Sequence, residues 1–548
     1  MAAVTEAPAT AAPRGDGTLT GTGTLVRFML RRDRIRIPVW ILALTLSTLM
    51  TASNLRTTYA TAEGRRSRAA LVDGPAGIAF SGPGYGLDDY TYGAMLANEV
   101  LGFVAIFVAL MSVLLFTRHT RTEEEAGRAE LVRAGVVGRH APITAALIVV
   151  GGANVVLGAL MALALGGSGI ETVTWPGSLL FGASLTAVGL FFTAVAAFTA
   201  QVTEYGRGAA GMAGAAIGVA YVLRAVGDIG DGVLSWLSPI GWAQATRVYV
   251  DDRWWPPAIA VVGAAALLAV AFAATTRRDV GAGLMPPRPG PRTASPFLST
   301  PLGSALRLQR ASLLWWSVSM AALGAMYGAF AGDVQDAVGG NETIQEWMRT
   351  VPGSGITERF LGVITAMLAT VCGVYAVLAL QKPRGEETAG RAEPVLAAAV
   401  SRTRWLAAHL VVALAGSVVV LLLSGLGVGV TAAVSAGDAG LLYAMPGAAL
   451  AYVPAVWVTA GAAAALFGLA PRAVGLAWAV VVYAVVVTMF GGLLRFPGWM
   501  NDLSPFGHVP RLPGAQMSWP PLLILTAITA ALIAVGLAAF RRRDLTLR

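Results

Sequence analysis

The 548 residues are 56% hydrophobic and 13% charged, with 65 glycines, about half the charge of a soluble globular chain. Runs of 18 or more residues without Asp, Glu, Lys or Arg recur along the chain, long enough for a helix to cross a hydrocarbon core of ~30 Å. A soluble enzyme, a fibrous protein and a disordered scaffold are excluded, and the fold class read from composition is an all-α polytopic membrane protein.

In chain order, residues 1–20 lack an apolar h-region, so no cleavable signal peptide is expected, and 1–21 read as a disordered tail. Residues 22–36 (TGTLVRFMLRRDRIR) mix Leu25, Phe28, Met29 and Ile35 with Arg27, Arg31, Arg32 and Arg34 before Pro38. That pattern suits a helix lying in the membrane interface. Six spans follow near 37–54, 97–117, 141–166, 174–201, 206–224 and 255–275, and make a first transmembrane half over 22–284. The Pro/Arg-rich stretch 285–298 reads as a linker. A second half over 299–548 holds spans near 312–331, 360–381, 405–433, 444–469, 473–494 and 520–540. Arg307, Arg310, Leu306 and Leu308 repeat the interfacial pattern before Trp315 and Trp316. Cys372 is the single cysteine and lies within a span, so no intrachain disulfide forms.

The two halves are repeats. Glu123-Glu124-Glu125-Ala126-Gly127-Arg128-Ala129-Glu130 matches Glu386-Glu387-Thr388-Ala389-Gly390-Arg391-Ala392-Glu393, at an offset of 263. Leu237-Ser238-Pro239-Ile240-Gly241 matches Leu503-Ser504-Pro505-Phe506-Gly507, at an offset of 266. Trp255-Pro256-Pro257 matches Trp519-Pro520-Pro521, and Arg277-Arg278-Asp279 matches Arg542-Arg543-Asp544. Six spans per half is an even number, so the halves insert in the same orientation as a parallel repeat. With both termini cytoplasmic, 28 of the 39 Lys+Arg fall in cytoplasmic segments and nine outside, with Arg224 and Arg359 at span ends. Retention of positive charge inside favours that orientation. Topology and anionic membrane lipid then account for the net charge of +9, with no nucleic-acid partner.

Absences narrow the chemistry. Lys382 is the sole lysine and follows Gln381, so no G-x-x-x-x-G-K-[ST] phosphate loop exists. His119, His140, His409 and His508 are scattered, which leaves no metal or catalytic constellation. The spans read as nearly free of ionisable groups, whereas ion-driven transporters carry such groups within the membrane. Only His409 is placed inside a span, and it reads as a satisfied interfacial histidine. The energy for transport is therefore expected from another subunit. Phe191, Phe192, Trp457, Trp478 and Tyr483 read as packing or belt aromatics, and the substrate is not legible from them.

The repeated E-E-x-A-G-R-A-E element lies between the second and third spans of each half. Its Glu124/Arg128 and Glu387/Arg391 spacings predict i,i+4 pairs on a short helix, and Thr122 with Glu125 fits a capping box. Gly127 and Gly390 mark either a helix end or a close backbone approach. Outside, Gly82-Pro83-Gly84-Tyr85-Gly86 and Asp88-Asp89 in the loop 55–96 read as turns; 332–357 is its counterpart. The stretches 225–254 and 495–519 read equally as re-entrant segments or external loops.

The element, the long loop after the first span and the S-P turn before the sixth resemble type-2 ATP-binding-cassette (ABC) exporter permeases. The doubled, Arg-rich, twelve-span form is similar to the tetronasin-type antibiotic-export permeases of actinobacteria, the mycobacterial multidrug exporter type among them. The resemblance covers essentially the whole chain. It implies a non-enzymatic permease subunit in the bacterial cytoplasmic membrane, exporting hydrophobic drugs or lipid-like compounds. It also implies two copies of a separate ATPase, which carries the ATP and Mg and leaves this chain without a cofactor. The docking residues it implies are Glu123, Glu124, Glu125, Gly127, Arg128 and Glu130 for one ATPase, and Glu386, Glu387, Gly390, Arg391 and Glu393 for the other. Pro394 replaces Leu131 and Leu396 replaces Arg133 in the second copy, so unequal sites are expected. The competing reading is an ion-coupled secondary transporter with two parallel six-span halves. It predicts buried ionisable residues and a basic loop after the second span, where this chain has an acidic-led one. A membrane-embedded transferase or protease would need intramembrane catalytic polar residues.

Overall fold

Helix starts follow the chemistry of their flanking residues. In the computed structural model, residues 17–128, 130, 135–278, 281–285, 290, 292–334, 348, 351, 353, 355–490 and 496–544 are described. Thr174, Thr300 and Ser401 each accept a backbone N–H from the first turn of the helix they precede. Prolines occupy the first turns at Pro142, Pro176, Pro256 and Pro301, where the missing N–H costs nothing.

The chain forms two compact units, Met1–Pro289 and Gly290–Arg548. Among the described residues all regular structure is helical, and twelve helices are long and apolar enough to span a membrane, six in each unit. In the first unit, α1 (Thr22–Arg32) precedes α2 (Arg36–Thr58), and α3 (Ala62–Asp73), α4 (Pro75–Ser81) and α5 (Tyr92–Glu99) fill the following loop. Then come α6 (Leu101–His119), α7 (Arg121–Glu125), α8 (Ala141–Gly166), α9 (Trp175–Val202), α10 (Gly206–Ile229), the short α11 (Pro239–Gln244) and α12 (Pro256–Thr275). The second unit contains α13 (Pro301–Gly328), α14 (Ile356–Thr388), α15 (Ala392–Ala397), α16 (Arg402–Ala436), α17 (Leu441–Leu450), α18 (Val453–Leu469), α19 (Ala477–Phe490), α20 (Gly498–Leu503) and α21 (Trp519–Arg542).

Every span expected from hydropathy has a helix. Several helices run past the apolar run, because a helix continues into the interface after its hydrocarbon-facing residues end. The interfacial helix expected over 22–36 is α1, and the chain breaks at Asp33 before α2; in the second unit α13 is continuous through Arg307 and Arg310. Of the predicted tail, residues 1–16 lie outside the described residues, as do linker residues 286–289 and 291, most of the loop 332–357, Arg349 and Arg495, and also Leu131, Arg133 and Asp279.

Small residues set the closest helix approaches, as expected where lipid gives no hydrophobic drive for helix association. A Cβ on Gly182 of α9 would lie 2.1 Å from the carbonyl oxygen of Gly158 on α8. Polar contacts add to this packing. Asn154 of α8, fully buried, donates from Nδ2 to Ser112 Oγ of α6 at 3.0 Å. Cys372 is buried. Phe192 is buried, Phe191 packs edge-on to Phe192 and Trp242, and Trp478 packs against the second core. Trp457 donates to Leu414 O, and Tyr483 donates to Met500 O.

One ionisable pair corrects the expectation of nearly charge-free spans, and a second cluster lies in the loop before the second span. Helix α10 continues to Ile229 and so carries Arg224, 2% exposed, into the interior with Asp228 at 3.6 Å. Its guanidinium donates to the carbonyls of Ile78, Ala79 and Phe80 at 3.1, 2.9 and 3.2 Å, closing the C-terminal end of α4. Glu99, at the end of α5, accepts from Arg68 and from Tyr90 Oη. His409 is buried and satisfied as expected, its Nδ1 lying 3.3 Å from Gln309 Nε2. The S-P-x-G turn of the first unit is internal: Ser238 caps α11 and donates to Ala220 O at 2.7 Å, and Pro239, Ile240 and Gly241 are buried.

Candidate functional site

Each E-E-x-A-G-R-A-E element stands at the end of the second span of its unit and finishes a helix with a glycine. Gly127 has φ 71° and Gly390 φ 70°. Among the described residues nothing lies within 4 Å of a Cβ built on either, so the repeated glycine supplies a left-handed turn, with no close backbone approach among them. In the second copy Arg391 N–H donates to Glu386 O at 2.9 Å, and Gly390 N–H to Glu387 O at 3.0 Å. This is the paired bonding of a Schellman helix end, which brings together the side chains two residues past the capping residue Ala389 and three before it. In the first copy Gly127 N–H donates to Glu124 O at 3.0 Å.

That turn corrects the expected ion pairs. Arg128 meets Glu123, with Nε and Nη2 donating to its two carboxylate oxygens at 2.8 and 2.9 Å. Arg391 meets Glu386 in the same way, at 2.9 and 2.8 Å. The i,i+4 pairs Glu124/Arg128 and Glu387/Arg391 do not form, because the helix ends before the arginine and the left-handed glycine shifts its partner by one residue. By donating to their glutamates, both guanidiniums are held further above their ordinary pKa range. The expected Thr122/Glu125 capping box is also absent. Helix α7 starts after Thr120, and Glu125 instead accepts the Gly206 N–H at 2.9 Å, at the start of α10. A carboxylate there meets the positive end of that helix dipole.

The second glutamate of each element turns inward. Glu124 accepts from Arg278 Nη1 and Nη2, both at 2.9 Å, and also pairs with Arg121. Glu387 accepts from Arg543 Nη1 and Nη2 at 2.7 and 2.6 Å, and its side chain is 3% exposed. Arg278 and Arg543 are the central arginines of the repeated R-R-D motif that follows the sixth span. Both motifs were visible as repeat matches, but the distance in sequence hid that they are partners. In each unit the sixth span is thus fastened to the element after the second span by one bidentate, part-buried ion pair. Arg543 also stacks on Phe467 and Phe540, 4.9 Å from each ring centroid.

The surroundings differ between copies. Arg32, at the end of α1, gives Glu123 a second cation at 2.6 Å, and Asp33 is buried against His119 Nε2 at 2.8 Å. In the second copy Glu386 pairs with Arg391, and Glu393 sits in the first turn of α15 just before Pro394, with Leu396 half-buried two residues on. Arg128, Glu130, Gly127, Glu125, Gly390, Arg391 and Glu393 are exposed. No group of three potential metal ligands occurs among the described residues.

Residues 298–541 match the family model of the multidrug efflux system permease Rv1217c, C-terminal domain. The whole chain is 41% identical over 544 residues to the multidrug efflux system permease protein Rv1217c of Mycobacterium tuberculosis, covering 97% of this chain and 96% of that protein. The chain belongs to this family of ABC-type multidrug exporter permeases. The permease is accordingly a multi-pass membrane protein of drug efflux. Its two E-E-x-A-G-R-A-E elements are each joined by an ion pair to the end of a sixth span.

Proposed function

We propose that this permease is driven by two copies of a separate ATPase, one beneath each unit, with the E-E-x-A-G-R-A-E elements as the docking surfaces. The observation that carries the reading is the recurrence of the Arg278–Glu124 and Arg543–Glu387 pairs. A push on an exposed element would be transmitted through such a pair to the sixth span of the same unit. The residues split into two roles. Glu123, Glu125, Gly127, Arg128 and Glu130, and Glu386, Gly390, Arg391 and Glu393, form the contact faces. Glu124 and Glu387 act behind them as positioning residues. The absence of a phosphate loop in the sequence supports placing ATP and Mg on the partner. The positive-charge bias supports cytoplasmic elements and termini in a bacterial cytoplasmic membrane. Hydrophobic drugs or lipid-like compounds are the proposed substrates.

The test is transport by the permease co-reconstituted with its ATPase. ATP should drive accumulation of a hydrophobic dye in inverted vesicles, and Arg391→Glu should abolish it while the permease still inserts. Full transport by that variant, or transport driven by a proton gradient without ATP, contradicts the proposal.

A further inference from the structure

The first unit contains a cavity of about 540 Å³ between α1, the α7 element and the ends of α8, α9 and α12. Its polar wall carries five guanidiniums, those of Arg32, Arg121, Arg128, Arg139 and Arg278. Two carboxylates face them: Glu123 is shared by Arg32 and Arg128, and Glu124 by Arg121 and Arg278. Arg139 donates to a backbone carbonyl, Thr275 O, at 2.6 Å. Among the described lining residues five positive charges thus meet two negative ones, in a concave site where field lines concentrate. The facing wall is apolar, made by Leu25, Phe28 and Met29 of α1 with Ile143 of α8.

We propose that this cavity holds the head group of an anionic phospholipid, its phosphate among Arg32, Arg128 and Arg139 and the start of its acyl chains along Leu25, Phe28 and Ile143. A cationic pocket between membrane helices is the kind of site that takes acidic head groups. The rim supports a lipid over a free anion. Helix α1 exposes Phe28 and Leu30 beside its arginines, as a helix lying in the interface does. A soluble phosphate would leave the α1 wall in contact with water, and an uncharged drug would leave the site's excess of positive charge uncompensated. Because Arg32 and Arg128 both bind Glu123, a lipid seated there joins α1 to the docking element. The composition of the adjoining leaflet would then tune how firmly that element is held. The inference does not require that an ATPase docks.

The experiment uses the full-length permease, delipidated in detergent and titrated separately with dioleoylphosphatidylglycerol, dioleoylphosphatidylcholine and inorganic phosphate, with bound adducts read by native mass spectrometry. Phosphatidylglycerol should be retained in preference to phosphatidylcholine. Arg139→Gln should reduce that retention about fivefold, the worth of one basic side chain near an anionic head group. Arg139→Lys should restore it, and Leu25→Trp, which fills the cavity without changing charge, should lower it. Equal retention of the two lipids, or phosphatidylglycerol retention unchanged in both Arg139→Gln and Leu25→Trp, overturns the proposal. Displacement of the lipid adduct by millimolar inorganic phosphate also overturns it, in favour of a free-anion site. Arg139 lies outside the docking faces and the titration is made without the ATPase, so lipid retention is read independently of docking.

Discussion

Replacing Glu387 with glutamine separates an anchoring ion pair from a surface one. The Glu387 side chain is 3% exposed and Arg543 13%, with two hydrogen bonds of 2.7 and 2.6 Å. At an effective dielectric of about 20, charges ~4 Å apart attract by ~4 kcal/mol, and removing one partner of a buried pair costs about 3–5 kcal/mol. The two aromatic faces against Arg543 offset part of that loss, each cation–π contact contributing roughly 0.5–2 kcal/mol. A double-mutant cycle with Glu387→Gln and Arg543→Gln should therefore give a coupling of about 2–3 kcal/mol. The same cycle on Glu386 and Arg391, whose arginine is exposed, should give about 0.2–1 kcal/mol. Glu124 and Arg278 should fall between, since Arg121 keeps a cation on Glu124 when Arg278 is lost. Reversible unfolding of the full-length permease in mixed micelles supplies the free energies. Equal couplings for the Glu387/Arg543 and Glu386/Arg391 pairs would refute the division into anchoring and contact residues.

Other substitutions probe separate parts of the account. Gly390→Val should cost about 1–2 kcal/mol from the left-handed backbone alone, with Gly390→Asn milder, as read by thermal unfolding; identical melting of all three proteins would contradict it. Gly182→Val should sharply reduce folded yield on size-exclusion profiles, because its Cβ would meet Gly158 O at 2.1 Å. Arg224→Leu should lose about 3–5 kcal/mol by leaving the Asp228 carboxylate without its cation and removing the guanidinium's bonds to three α4 carbonyls, and protease nicking within 75–81 should rise with it. The purified permease alone should release no phosphate from ATP, and turnover by this chain without a partner would remove the need for a second subunit.

The spans were legible because a bilayer imposes a length and an apolar composition that survive any detail of packing. The E-E-x-A-G-R-A-E elements were legible as a repeat, but their pairing was read one residue out of register. The correction was also within the sequence: a glycine taken as the residue just past the helix end pairs Glu123 with Arg128 and Glu386 with Arg391. Arg278 and Arg543 were seen only as a repeated motif, since their proximity to Glu124 and Glu387 depends on tertiary packing of the sixth span, which lies against the fourth. Arg224 was left at a span boundary because a charge seemed to end the apolar run, whereas the carbonyl end of α4 provides it with acceptors inside. At the break between α1 and α2, Asp33 is buried against His119, a contact between residues far apart in sequence.

The central claim is that each unit binds its own ATPase through its own element, and the mass of the co-purified complex tests it most directly. Native mass spectrometry of the co-expressed proteins should give one permease with two ATPase chains. With Gly127→Val and Arg128→Glu combined in the first element, the account predicts one ATPase per permease, and with the corresponding changes in both elements, none. Retention of two ATPase chains by the doubly altered permease would contradict it.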